Sequence, residues 1–152
     1  MRCLRDLRLI DSGIREWPSS LTHLTEELIF LASSLTRLTN SFDGFSGYGF
    51  LSLTKLCLNS CDGDITELDF QYFPLLSHLY ICNSNIISIP QSISGLARLE
   101  TIKIEKCKQL REIPTLPQSV RDVYAYDCPS LDPQSSSRLL IQVRSLSLSL
   151  YV

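Results

Sequence analysis

Few side chains in this 152-residue sequence could carry out bond chemistry. Its two histidines are His23 and His78, and Cys82 lies four residues past His78. A nucleophilic Cys/His pair built from these, or with Cys57 from a neighbouring strand, would need a third group to orient the base, and none is evident. Asp62-Gly-Asp64 resembles the start of a cation loop but lacks the further ligands that close one, so it reads as a solvated turn. Zinc would require four closely grouped nitrogen or sulfur ligands, and the sequence has no C-x-x-C. Nor does it contain the G-x-x-x-x-G-K-[ST] loop that cradles phosphates. The expectation is therefore a chain with no cofactor, no metal and no catalytic residues.

A different chemistry is open to Lys55, His78, Tyr80, Lys103, Glu105, Asp122, Tyr124 and Tyr126. Aromatic rings with interspersed charge suit protein recognition, where a few Tyr and Arg anchors dominate the binding energy. Burying one such Tyr on binding is worth roughly 1.5–3 kcal/mol. The plainer reading keeps these as solvated strand positions, where Tyr is favoured by its fit to a pleated surface. Either reading depends on something that brings residues so far apart in sequence onto one face.

That organising element is visible in residues 96–131. They run Leu96-Ala-Arg-Leu99-Glu-Thr-Ile102-Lys-Ile104-Glu-Lys-Cys107-Lys-Gln-Leu110-Arg-Glu-Ile113-Pro114, and the phrase restarts as Val120-Arg-Asp-Val123-Tyr-Ala125-Tyr-Asp-Cys128-Pro-Ser-Leu131. Apolar residues stand three apart, then two apart, with a Cys three residues later. This is the leucine-rich repeat signature L-x-x-L-x-L-x-x-(N/C)-x-L with one spare residue after the Cys. Ile102 and Ile104 point to one side of a short strand, and Thr101, Lys103 and Glu105 to the other. One such strand cannot bury its apolar side alone, so neighbouring coils must stack and share a core. Ile113-Pro114 ends regular pairing and starts the return segment.

Earlier coils follow the rule more loosely. The first has Leu4, Leu7, Leu9, Ser12, Ile14, Trp17 and Pro18 at the landmarks. Its apolar positions have no cap before them, which suggests a native chain that continues upstream or a gene-model fragment. The second is degraded, with Leu28-Ile-Phe30 as its strand; a slip that turns Ile29 and Leu31 inward is the competing register. An insertion at 40–50 precedes Leu53, Leu56, Leu58 and Cys61, and the fourth coil carries Leu76, Leu79, Ile81, Ser84, Ile86, Ile89 and Pro90. First strand residues Leu7, Leu28, Leu56, Leu79, Ile102 and Val123 lie 21, 28, 23, 23 and 21 apart.

The expected fold is an α/β solenoid, a curved right-handed stack of about six coils. A short parallel sheet would line its concave side, with mostly irregular, 3-10 or short helical convex segments. Coils fall near 4–24, 25–52, 53–75, 76–98, 99–119 and 120–131. Ser12, Cys61, Ser84, Cys107 and Cys128 share the slot where the chain leaves the strand. The outward panel reads Asp6, Arg8, Ile10; Glu27, Ile29, Leu31; Lys55, Cys57, Asn59; His78, Tyr80, Cys82; Thr101, Lys103, Glu105; Asp122, Tyr124, Tyr126. Residues 132–152 form a poorly specified tail: a loop over 132–137, then a short helix or strand over 138–143. The alternating end, Arg144-Ser-Leu146-Ser-Leu148-Ser-Leu150, reads as a frayed terminus or as a half-buried strand.

Bulk composition excludes several classes. The formal charge of −2 gives no basis for nucleic-acid binding by counterion release. No run of eighteen apolar residues supports a membrane span, and the charged N-terminus does not fit a signal peptide. Six cysteines could suggest a disulfide framework, but spacing by repeat slot favours reduced thiols.

The stretch Ile113-Pro114-Thr-Leu116-Pro117-Gln-Ser119-Val120, reached from Cys107 and Leu110 and ending at Cys128 and Leu131, resembles plant intracellular immune receptors of the TIR–NB–LRR class. Their last repeats commonly read C-x-x-L-x-x-(I/L)-P-x-L-P-x-S-(L/V) before a strand and a second C-x-x-L. At repeat level the resemblance covers residues 1–131, and the specific phrasing covers 96–131. It implies the repeat region of such a receptor, without its TIR and nucleotide-binding domains, in the cytoplasm or moving between cytoplasm and nucleus. It also implies a protein partner: a pathogen effector, a guarded host protein or the receptor's own switch domain. The alternative is a non-immune intracellular scaffold, like the Ras-group repeat proteins, which would favour regular 23-residue coils throughout.

Overall fold

The computed structural model describes residues 6–10, 27–31, 51–60, 65 and 68–142, with side chains described for 51–60, 65 and 68–138. Period-two patterning at regular intervals becomes six five-residue strands: β1 Asp6–Ile10, β2 Glu27–Leu31, β3 Lys55–Asn59, β4 His78–Cys82, β5 Thr101–Glu105 and β6 Asp122–Tyr126. All pair in parallel and in sequence order, which makes one six-stranded sheet in an α/β repeat fold with few helices. The register puts Leu28 and Phe30 in line with Leu56 and Leu58, and Ile29 in line with Cys57. This is the pairing expected for the degraded second repeat, without the slip.

From β3 to β6 the second and fourth residue of each strand are buried, while the first, third and fifth are half exposed. Leu56, Leu58, Leu79, Ile81, Ile102, Ile104, Val123 and Ala125 thus form the inner wall of the core. The opposite wall is built by Leu68, Phe70, Phe73, Ile89, Ile93, Ile113 and Leu116. Phe70 and Phe73 are fully buried, their ring centroids 6.3 Å apart. They sit on and beside a 3-10 turn at Phe70–Tyr72, which starts where the Asp69 carboxylate accepts the Gln71 N–H at 3.0 Å. A second 3-10 turn spans Gln91–Gly95. Ser92 Oγ ties the two turns together, accepting from Phe70 N at 3.1 Å and donating to Leu68 O at 3.3 Å.

Main-chain bonds repeat where each strand ends. Ser60, Asn83 and Lys106 directly follow β3, β4 and β5, and each donates its N–H to the last carbonyl of the next strand: Cys82 O at 3.0 Å, Glu105 O at 2.8 Å and Tyr126 O at 2.9 Å. These residues and Asp127 all have positive φ, between 50° and 55°. That conformation is uncommon for side chains other than Asn or Asp. The left-handed turn aims the amide across to the next strand, and the saved hydrogen bond offsets its cost.

The slot where the chain leaves each strand holds Ser84 and Cys107, both fully buried, and Cys128, half-buried. Ser84 Oγ donates to Cys82 O at 2.9 Å, and Cys128 Sγ to Tyr126 O at 3.2 Å. Cys107 Sγ lies 3.7 Å from Ile81 O and 3.6 Å from Glu105 O. Ser12 and Cys61 lie outside the described residues. Cys57, Cys82, Cys107 and Cys128 form no disulfide.

One expectation is corrected. Residues 132–137 are not a loop: an α-helix, α1, spans Pro133–Gln142. Asp132 caps it, its Oδ2 accepting Ser135 N–H at 3.3 Å, and Pro133 takes the first helical position, where a missing N–H costs nothing. The alternating stretch from 144 onward lies outside the described residues.

Candidate partner-binding face

The parallel register turns the outward residues of β3 to β6 into three rows. One row is Lys55, His78, Thr101 and Asp122; the next is Cys57, Tyr80, Lys103 and Tyr124; the third is Asn59, Cys82, Glu105 and Tyr126. All eight expected partner-binding residues therefore stand on one face of the sheet, each half exposed. For β1 and β2 the backbone register continues the rows with Asp6, Arg8 and Ile10 and with Glu27, Ile29 and Leu31.

Contacts divide the panel into three groups. At one end the Lys55 ammonium lies 5.2 Å from the centroid of the Tyr80 ring, a cation–π pair. The His78 ring meets Tyr80 edge-on at 6.3 Å, and its Nδ1 lies 2.7 Å from Ser77 Oγ. At the other end Tyr124 and Tyr126, two apart on one strand, stack at 6.3 Å with 16° between their planes. Between them Lys103 Nζ binds Glu105 Oε2 at 2.9 Å. Lys106 reaches the other carboxylate oxygen at 3.7 Å. Lys106 was missing from the expected set because it lies one residue past the strand; its left-handed backbone brings it alongside.

The hydrogen bond from Lys103, with the nearby charges of both lysines, holds the Glu105 carboxyl below its ordinary value, and the same bond raises Lys103. A lowered carboxyl pKa stabilises the fold fully above the unfolded carboxylate range and loses that effect as pH falls through the folded value. Because both side chains are about a third exposed, the effect is small. Glu105→Gln is expected to cost under about 1 kcal/mol at neutral pH and progressively less as pH falls below the ordinary carboxylate range, read as paired urea-unfolding midpoints.

The Cys57, His78 and Cys82 side chains do share this face, but burial pushes the Cys82 thiol up, away from the reactive thiolate. Asp62-Gly-Asp64 lies outside the described residues. Among the described residues no group of three or more His, Cys, Asp or Glu side chains could hold a metal ion, and no helix is long and apolar enough to cross a membrane.

Comparison with known proteins gives a consistent set of relatives. A probable disease resistance protein of Arabidopsis thaliana is 31% identical over 111 residues, 72% of this chain and 6% of that protein. The disease resistance-like protein DSC1 of the same plant is 28% identical over 134 residues, 87% of this chain and 11% of its own length. The disease resistance protein RPP2A, also from Arabidopsis, is 35% identical over 71 residues, 46% of this chain and 5% of that protein. No family model and no solved structure matches. The chain is related to plant disease resistance proteins, as the phrasing of residues 96–131 led us to expect. It spans about a tenth or less of the length of these relatives, and the kinship supports a role in plant defence.

Proposed function

We propose that the chain is a leucine-rich-repeat solenoid of six coils from an intracellular plant immune receptor, and that the outward face of its sheet captures a protein partner. That partner is a pathogen effector, a guarded host protein or the receptor's own switch domain. The observation that carries the reading is the three-row panel, where a stacked Tyr pair, a cation–π pair and a Lys–Glu–Lys cluster are held in register on buried strands. A surface whose side chains are already ordered loses less entropy when a partner binds. Half-exposed Tyr rings still have apolar area to give up.

The role is binding rather than catalysis, needs no cofactor, and engages neither nucleic acid nor membrane. Support comes from the engaged Nδ1 of His78, the raised thiol of Cys82 and the small net negative charge. The kinship with resistance proteins favours the receptor over a non-immune scaffold.

The double variant Tyr124→Ala with Tyr126→Ala tests this face. Fold and unfolding midpoint should hold to within about 1 kcal/mol, because both side chains stand on the solvent side. Capture of the partner in a pull-down should fall by about tenfold or more, given roughly 1.5–3 kcal/mol per buried Tyr. Undiminished capture by a folded double variant would remove the sheet face from consideration.

A further inference from the structure

Cys107 and Cys128 each lie two residues past the end of their strand, and those ends, Glu105 and Tyr126, are register partners. The two cysteines therefore occupy matching positions on neighbouring repeats, about one strand spacing, ~4.8 Å, apart. This separation lies inside the Cα window of a disulfide. The bond from Lys106 N to Tyr126 O at 2.9 Å fixes the junction directly before them. The thiols hang alike from the carbonyls two residues back, at 3.6 and 3.2 Å.

Their surroundings differ in a way that divides the work. Cys107 is fully buried, and its bond to Cys128 together with burial pushes its thiol well up. Cys128 is half exposed, and the same bond lowers its thiol to about 7. One thiol is thus reachable from solvent, with its pKa lowered, and a fully buried thiol lies beside it. This is the arrangement of an attacking and a resolving cysteine.

We propose that Cys107 and Cys128 form a peroxide-responsive thiol pair that closes into a disulfide across the β5–β6 junction. The Cys128 thiolate attacks one oxygen of hydrogen peroxide; the O–O bond breaks, leaving a sulfenic acid on Cys128 and hydroxide, which takes up a proton to become water. Cys107 sulfur then attacks the Cys128 sulfur and the S–O bond breaks. The departing hydroxide takes the Cys107 proton as a second water. Two thiols lose two electrons and two protons, and one peroxide is reduced to two waters. The preceding slot holds Ser84, so no equivalent link can form between it and Cys107.

The test treats the reduced full chain with hydrogen peroxide, traps remaining thiols by alkylation and maps peptides without reduction. A Cys107–Cys128 linked peptide should dominate in the folded protein and lose its preference when the chain is oxidised in urea. Cys107→Ser should lose the link and show a dimedone-trapped sulfenic acid on Cys128. Serine already fits this slot at position 84, so the fold should hold, checked by circular dichroism. In Cys128→Ser, oxidation of Cys107 should slow by roughly tenfold or more, because Cys107 is fully buried and screened from peroxide in solution. A folded wild-type chain that gives sulfinic acid at Cys128 without the link, or links either cysteine elsewhere, would overturn the pair.

Discussion

Ile104→Ala is expected to lower stability by about 2–5 kcal/mol, while Lys103→Ala, one residue away, stays within about 0.5 kcal/mol. Ile104 is fully buried between Ile81 and Ala125, its register partners on the neighbouring strands. Truncation there removes apolar burial from the shared core and leaves a cavity whose walls, themselves strand-bound, collapse little. Lys103 loses only an exposed ion pair with Glu105. Urea unfolding of both variants reads the contrast as a fall in midpoint at unchanged slope for Ile104→Ala alone. Equal losses would mean that the two faces of β5 had been exchanged.

Phe73→Ala should cost about 3–5 kcal/mol, the upper range for a single truncation. Phe73 is fully buried on the side of the core opposite the sheet, tilted against Phe70. Its N–H bonds to Phe70 O at 2.9 Å and its carbonyl accepts from Leu76 N at 3.0 Å, so its backbone lies on the path from the 3-10 turn toward β4, and the buried ring packs beneath it. Because the two rings share one space, Phe70→Ala combined with Phe73→Ala should cost less than the sum of the single changes. A fully additive double variant would show that the rings act independently.

The sheet was readable in the sequence because burial on one face imposes a two-residue period that recurs at each repeat. Ile102 and Ile104, or Leu79 and Ile81, mark both the strand and the side it buries. Even the weak repeat around Leu28 follows its neighbours, since parallel pairing to β3 sets the register where its own sequence is ambiguous. The outward panel followed from the same alternation. What spacing could not show was how its side chains associate. Lys55 leaning over Tyr80, the stacking of Tyr124 on Tyr126, and Lys106 joining Glu105 depend on rotamers and on a backbone turn, neither of which has a residue period. The helix at Pro133 was missed for another reason. Its first turn is rich in Ser and has low helix propensity, while the positional signal, Asp132 as cap before a Pro, occupies only two residues.

The four left-handed positions after the strands carry Ser60, Asn83, Lys106 and Asp127, all polar and none of them Gly. At the first three, what they share is an amide proton pointed at the neighbouring strand. The joints of this architecture are therefore written in the main chain, and side-chain truncation surveys would pass over them. Proline is the substitution that would expose them, since it deletes the proton and forbids the turn together.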